Sequence, residues 1–250
     1  MRFVAAVALA LALAGCGSGG GAQRPELTVS AASSLKVALT AYGRQFAGAD
    51  VRLSFAGSDE LAAQIEQGLR PDVYAAANTK LPERLRAGGL VEAPVVFAAN
   101  RLVLAVPAAS SRVRQLGDLA RSGVSLAVGA DSVPVGDYTR TVLERLGAGQ
   151  RAAILANVRS REPDVGGIVG KLTQGAVDAG FVYLSDVRGA GGRLEAIELP
   201  ARLQPAVAYA AAVVKGAPHP EQARAFVEGL LRGTGASALA DAGFEPPPAP

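Results

Sequence analysis

The feature that most limits the fold is a regular alternation of short apolar runs with segments whose apolar residues recur at helical spacing. Strands that alternate with helices are typical of largely parallel sheets covered by helices. The sequence therefore predicts an α/β protein. Its predicted strands are Leu27–Ala31, Val51–Phe55, Val73–Ala77, Leu102–Val106, Val124–Val128, Ala179–Tyr183 and Val207–Val214.

The alternating pattern restarts after Leu102–Val106, which implies two halves of similar size. In proteins built from such units, ligands bind in the crevice at the carboxyl ends of the strands. We therefore expect the functional residues at strand-to-helix junctions.

The amino-terminal segment has the parts of a secretory signal. Arg2 supplies positive charge, and Phe3–Ala14 is an apolar run of twelve residues, shorter than the roughly 20 needed to span a bilayer. The run leads into Cys16, the only cysteine, through a sequence that matches the bacterial lipobox. We expect export, removal of residues 1–15 and a lipid anchor on Cys16, followed by a glycine-rich tether over 16–26.

The charge pattern argues against several classes of function. The formal net charge is only +3, basic residues are dispersed and aromatic residues are few, so nucleic-acid binding has little support. One histidine and one cysteine are too few for a typical soft-metal site.

Three junctions carry groups that donate hydrogen bonds. Ser33-Ser34 follows the first strand, Gly57-Ser58 follows the second, and Val135 lies just before the helix that contains Tyr138. The start of a helix offers unpaired N–H groups and a positive dipole end, which hold an anion without a basic side chain. Taken alone, each serine is better explained as a helix cap than as a ligand-binding group.

Five segments in order resemble the molybdate-binding proteins of ABC transporters, over residues 27 to about 244. The segments are Ala31-Ala32-Ser33-Ser34-Leu35, Ser54-Phe55-Ala56-Gly57-Ser58, Val133-Pro134-Val135-Gly136, Pro163-Asp164-Val165 and Gly180-Phe181-Val182-Tyr183.

The resemblance implies a two-lobed periplasmic-binding-protein fold of type II, in which each lobe is a mostly parallel sheet flanked by helices. Lobe 1 would comprise 27–104 and 209–244, lobe 2 would comprise 105–208, and 245–250 would be a loose tail. The groups implied to bind the oxyanion are the hydroxyls of Ser34, Ser58 and Tyr183 and the backbone N–H groups of Val135 and Val165. The implied ligand is molybdate or tungstate, and no cofactor is implied; molybdenum would be held only as the oxyanion. The protein would be a monomer, and its implied partner is a membrane permease with its cytoplasmic ATPase.

Two residues depart from what this ligand requires. Val135 stands where the family often has a small residue, so its larger side chain could reduce the volume of the pocket, although its backbone N–H is retained. Asp59 follows Ser58 directly, and an acid is unexpected beside a dianion; we expect its side chain to face solvent and stabilise the helix start.

Sulfate or phosphate on the same fold, and an exported hydrolase, remain as alternatives. Hydrogen phosphate needs a hydrogen-bond acceptor, which an inward-facing Asp59 would supply. A hydrolase needs a base, but His219, the only histidine, lies between two prolines and is expected in a surface loop. No Gly-x-Ser-x-Gly elbow or complete phosphate-binding loop motif occurs.

Overall fold

The computed structural model describes residues 24–109 and 112–248. The predicted signal, the lipidation site Cys16 and most of the tether lie outside the described residues. Within them, in chain order, the elements are β1 (Glu26–Ala32), α1 (Lys36–Gln45), β2 (Asp50–Ala56), α2 (Ser58–Glu66), β3 (Val73–Ala76), α3 (Lys80–Ala87), β4 (Val95–Asn100), β5 (Leu102–Pro107), β6 (Leu126–Gly129), α4 (Pro134–Glu144), α5 (Ala148–Ala156), β7 (Val158–Glu162), α6 (Val165–Thr173), β8 (Ala179–Tyr183), α7 (Leu184–Gly189), β9 (Leu194–Glu198), β10 (Val207–Val213), α8 (Pro220–Leu231) and α9 (Thr234–Asp241).

The strands form two five-stranded sheets, one in each lobe. The sheet of lobe 1 has the order β2-β1-β3-β10-β4, and the sheet of lobe 2 has the order β7-β6-β8-β5-β9. In each sheet three neighbouring strands pair in parallel, and the strand that enters from the other lobe, β10 or β5, runs antiparallel to both of its neighbours, so that four of the five strands point the same way. The predicted α/β architecture is confirmed.

Helices cover both faces of the first sheet, which explains why β3 is buried at every position. On one face, Tyr42 of α1 packs against Phe226 of α8 with ring centroids 4.5 Å apart. On the other face, Leu61 and Ile65 of α2 pack in a cluster with Leu85 of α3. Strands buried on both faces read as continuous apolar runs, which is the pattern seen in the sequence.

The chain crosses between the lobes at positions slightly different from those expected. All of β5 belongs to the second sheet, so lobe 1 ends near Asn100 instead of at 104, and β10 joins the first sheet at Val207 instead of at 209. The first crossing falls where β4 ends and β5 of the other sheet begins, and composition does not mark such a point.

Residue 245, expected to begin a loose tail, is bonded to the first sheet. The backbone N–H and C=O of Glu245 both bond to Ala99, each at 2.9 Å, so this residue extends the edge of the first sheet. No helix in the described residues is both long and apolar enough to cross a membrane.

Candidate functional site

The five residues predicted to bind the ligand all line one cavity between the lobes. Its cavity volume is only about 20 Å³, far below the roughly 300 to 1,000 Å³ of pockets for drug-sized ligands. The cavity therefore suits an ion of a few atoms. It is lined by Ala32, Ser33, Ser34, Ala56, Gly57, Ser58, Ala77, Val133, Pro134, Val135, Asp164, Val165 and Tyr183.

Lobe 1 contributes the two serines from adjacent parallel strands. Ser34 follows β1 in a short 3-10 turn, and Ser58 is the first residue of α2 after β2. Because the carboxyl ends of parallel strands lie at the same edge of a sheet, the register that pairs Ala32 with Ala56 brings the serines together. Both are buried, with only 6% and 2% of their surface exposed.

Lobe 2 contributes two helix starts. Val135 lies in the first turn of α4, and Val165 is the first residue of α6. N–H groups in the first turn have no partner within the helix, so both are free to donate to a ligand. The positive ends of two helix dipoles therefore point at the same cavity.

Tyr183, at the end of β8, supplies the remaining hydroxyl. Its ring packs edge-on against Tyr138 and Tyr209, at centroid distances of 6.3 Å and 5.7 Å. The hydroxyl is buried and has no hydrogen-bond partner among the described residues. Burial raises the pKa of Tyr183 well above its ordinary value, and the neighbouring tyrosines and acids raise it further, so the phenol keeps its proton. A buried donor without a partner is costly, and a ligand in the cavity would satisfy it.

The side chain of Val135 has its own space beside Gly129. A Cβ atom on Gly129 would lie 2.6 Å from Cγ1 of Val135, closer than real side chains approach. The missing side chain at position 129 thus accommodates the larger residue at position 135. The presence of valine is therefore compatible with an open cavity.

The cavity is rich in donors and has no basic side chain among its described lining residues. It does contain one acid, Asp164. The Oδ1 atom of Asp164 caps α6 by accepting a hydrogen bond from the N–H of Gly167 at 3.0 Å. One of its two carboxylate oxygens is therefore already engaged.

The lobes meet around the cavity, which identifies the conformation as closed. A Cβ atom on Gly57 would lie 2.6 Å from the carbonyl oxygen of Pro163 in the other lobe. Lys80 of lobe 1 donates to Asp137 of lobe 2 at 2.6 Å. Partial burial raises the pKa of Asp137, but Lys80 and then Arg140 outweigh it, so the pKa lies below its ordinary value.

The expectation that Asp59 faces solvent is wrong for one of its oxygens. The Oδ1 atom of Asp59 is buried and has no hydrogen-bond partner among the described residues. It lies close to Gly57, 2.9 Å from where a Cβ would stand, because the side chain folds back over the start of its own helix. Asp59 nevertheless does not line the cavity.

The groups required by the hydrolase alternative are not assembled at the cavity. His219 lies immediately before α8 and does not line the cavity. The described residues also contain no cluster of three or more His, Cys, Asp or Glu side chains that could hold a metal ion.

Sequence reasoning missed several groups around the cavity. Ala77 donates its N–H to Ser58 Oγ at 3.1 Å, and the Ser34 hydroxyl lies 3.0 Å from that of Tyr209. Tyr209 is 175 positions from Ser34 along the chain, so no local pattern links the two. Asp164 lies within the segment Pro163-Asp164-Val165 that carries part of the family resemblance, and its position directly before a helix could have marked it as a helix cap.

The comparisons with known proteins agree with the geometry. The chain is 35% identical over 227 residues to the molybdate-binding protein ModA of Mycobacterium tuberculosis, covering 88% of this chain and 85% of that protein. The periplasmic molybdate-binding protein of Azotobacter vinelandii is similar in structure with a TM-score of 0.80 at 24% identity, covering 89% of this chain and 100% of that one. The sulfate-binding protein SubI of Mycobacterium tuberculosis has a TM-score of 0.77 at 18% identity, covering 89% and 87%.

At identities below 25% the two solved structures bear on the fold alone, and they confirm the two-lobed periplasmic-binding architecture of type II. The model of the family of bacterial extracellular solute-binding proteins matches residues 27–245. The chain belongs to that family.

Proposed function

We propose that this protein captures molybdate, or tungstate, between its lobes and delivers it to an ABC importer. The observation that carries the proposal is the composition of the cavity: donors from both lobes surround a small volume, and the buried Tyr183 hydroxyl has no partner of its own. The similarity to a molybdate-binding protein at 35% identity supports the choice of ligand.

The chemistry of the ligand explains why such a cavity would work. Molybdate and tungstate near pH 7 are dianions whose oxygens only accept hydrogen bonds, so a shell of donors satisfies every contact. Hydrogen bonds to a charged partner contribute about 1.5 to 3 kcal/mol each, and several of them offset the cost of association. A shell without arginine or lysine also leaves no buried cation unpaired when the lobes open.

Closure of the lobes brings the proposed binding groups together. Ser34 and Ser58 belong to lobe 1, whereas Val135, Val165 and Tyr183 belong to lobe 2, so the complete shell exists only when the lobes meet. The ligand then stabilises the closed state by binding it more tightly than the open one. The partner of the closed, loaded monomer is a membrane permease driven by a cytoplasmic ATPase.

Competitive calorimetry with molybdate, tungstate, sulfate and phosphate tests the assignment. We expect molybdate and tungstate to bind most tightly and to displace sulfate. The carboxylate of Asp164 in the cavity lining is the reason to include phosphate, because a protonated anion needs an acceptor. Tighter binding of sulfate or phosphate than of molybdate would overturn the assignment of the ligand.

We also propose that the protein is exported and that a lipid anchor on Cys16 holds it to a membrane on the periplasmic or extracellular side. Cys16→Ser should release the protein from membranes or leave its signal uncut, because Cys16 is the only acylation site available. Membrane fractionation and the mass of the mature chain check this prediction. Normal cleavage together with unchanged retention in the membrane would contradict it.

A further inference from the structure

An ion pair between Lys80 and Asp137 joins the two lobes beside the cavity. The Nζ atom of Lys80 lies 2.6 Å from Oδ2 of Asp137. Lys80 is the first residue of α3 in lobe 1, and Asp137 lies in the first turn of α4 in lobe 2. Ala77 and Val135, which shortly precede Lys80 and Asp137 in the chain, both line the cavity. The ion pair therefore stands at the edge of the cavity.

Both partners of the ion pair lie on helix starts that are fixed by hydrogen bonds. At the start of α3, Asn78 Oδ1 accepts a hydrogen bond from the N–H of Leu81 at 3.0 Å. In α4 the N–H of Asp137 donates to the carbonyl oxygen of Val133 at 3.0 Å. Because the backbone is held at both ends, pairing of the two side chains holds α4 against lobe 1. The N–H of Val135, a proposed donor to the ligand, belongs to the same turn of α4.

The two partners differ in what they retain when the lobes part. Asp137 also pairs with Arg140 of its own helix, and that pair does not depend on how the lobes are arranged. Among the residues that the structure describes, Lys80 forms no other ion pair. The bond between Lys80 and Asp137 joins different lobes, so opening breaks it and leaves Lys80 in solvent. Its free energy therefore favours the closed state alone.

We propose that Lys80 is a positioning residue that, through Asp137, holds α4 over the bound oxyanion and slows its release. This inference rests on the proposed function. A bond that must break before the lobes open lengthens the time that the ligand stays bound, although Lys80 does not line the cavity. The Lys80 side chain is 75% exposed, so the effect is modest and is weakened by salt.

Lys80→Gln in the full-length protein tests the inference. Release of radiolabelled molybdate into an excess of unlabelled molybdate gives the dissociation rate, and calorimetry gives the dissociation constant. At low ionic strength Lys80→Gln should release molybdate about two- to fivefold faster than the wild type, the range expected for one exposed ion pair. In about 0.5 M salt the difference should shrink. The melting temperature without ligand should stay nearly unchanged, because Lys80 is largely exposed.

A double-mutant cycle with Asp137→Ala isolates the bond between the lobes. Asp137→Ala alone also removes a negative charge near the ligand, so its own effect on binding combines two causes. The informative comparison is Lys80→Gln in the Asp137→Ala background. There it should change the dissociation rate by less than about 1.5-fold, because the partner of Lys80 is already gone.

Arg84→Gln is the matched control. Arg84 lies on the same helix as Lys80, and its Nε atom lies 3.0 Å from Oε1 of Glu66 on α2. This ion pair is also exposed, but both of its partners belong to lobe 1. Its loss should leave the dissociation rate as in the wild type. Lys80→Arg, which keeps the positive charge, should release molybdate more slowly than Lys80→Gln.

The outcomes separate this inference from the function on which it rests. If the wild type binds no tetrahedral oxyanion, the proposed function and the inference both fail. If the wild type binds molybdate but Lys80→Gln releases it no faster, or releases it equally faster with and without Asp137, the inference alone is overturned. Equal acceleration by Arg84→Gln would also overturn it, because the effect would then follow from the loss of any surface charge.

Discussion

Ser34 and Ser58 each serve the fold as well as the cavity. Ser58 Oγ accepts a hydrogen bond from the N–H of Ala77, and Ser34 Oγ pairs with the buried hydroxyl of Tyr209. From the sequence alone we predict that replacing either serine would hardly change the stability of the unliganded protein. The contacts revise that prediction, because each alanine variant leaves a buried polar group without its partner.

Ser34→Ala and Ser58→Ala should each weaken molybdate binding by about 1 to 3 kcal/mol, or roughly 5- to 150-fold, because a ligand oxygen loses its donor. Each should also lower the free energy of unfolding of the unliganded protein by about 1 kcal/mol. Calorimetry and denaturant titration measure the two effects separately. Unaltered affinity in both variants would leave the serines with a structural role only.

Asp59→Asn tests the acid beside the cavity. Because Asp59 does not line the cavity, removal of its charge should change dianion affinity by less than about 1 kcal/mol, mainly through repulsion that salt screens. The order of preference among anions should stay the same. Parallel titrations in which molybdate binding strengthens while phosphate binding weakens would show that the carboxylate reaches the ligand.

At the scale of the elements, helix starts combine structure and recognition. The first turns of α4 and α6 leave N–H groups unpaired, and Asp164 caps one of these helices while it lines the cavity. The start of α7 is stabilised by a side-chain hydrogen bond instead. The N–H of Tyr183 donates to Asp186 Oδ2 at 2.9 Å, which fixes the backbone at the end of β8.

Asp186 should make stability depend on pH. Burial raises its pKa to about 7; the hydrogen bond from Tyr183 lowers it, and the nearby Asp164 raises it. Since the folded pKa lies above the ordinary 3.8, the folded state binds more protons than the unfolded state between these values. The stabilisation from the neutral carboxyl is complete below about pH 4 and is lost as the pH rises toward 7.

Asp186→Asn should therefore raise the free energy of unfolding at pH 8 by about 1 to 4 kcal/mol, with little gain at pH 4, because the amide stays neutral and still accepts from Tyr183. Denaturant titrations at several pH values measure the difference. Glu195→Gln, at an exposed position of β9, is the control. An equal effect of Asp186→Asn at both pH values would contradict the raised pKa.

At the scale of the whole molecule, the fit between the lobes limits what can stand at position 57. Gly57 has ordinary backbone angles, so the requirement for glycine is one of space: a Cβ atom would lie 2.6 Å from the Pro163 carbonyl oxygen of the other lobe and 2.9 Å from Asp59 Oδ1 of its own lobe. The open state lacks the Pro163 carbonyl. The clash with rigid backbone thus arises on closure, whereas the end of the Asp59 side chain can move.

Gly57→Ala should weaken ligand binding by about tenfold or more while leaving the melting temperature without ligand nearly unchanged, because the clash with the Pro163 backbone arises only when the lobes meet, whereas the end of the Asp59 side chain can move aside. Calorimetry gives the affinity, and small-angle scattering with and without molybdate shows whether the lobes still close. Full affinity together with normal compaction would mean that the backbone shifts to accommodate the methyl group.

The sequence by itself determined the alternation of strands and helices, the division into two halves and the strand-to-helix junctions that carry Ser34, Ser58 and Val135, whereas Val165 and Tyr183 were implied only by the resemblance to a known family. These properties are readable because hydrophobic periodicity and the chemistry of helix starts are local. Short elements with weak periodicity, such as β4, β7 and β9, were not recognised.

Only the tertiary structure decided which groups meet across the chain. The Tyr209 hydroxyl behind Ser34, the Pro163 carbonyl against Gly57, the space that Gly129 leaves for Val135 and the sheltered oxygen of Asp59 all depend on packing. Such contacts join surfaces that are brought together by sheet order and lobe closure, so residues close in space can be distant in sequence. Composition and spacing along the chain do not carry that information, because distances in the cavity are determined by packing.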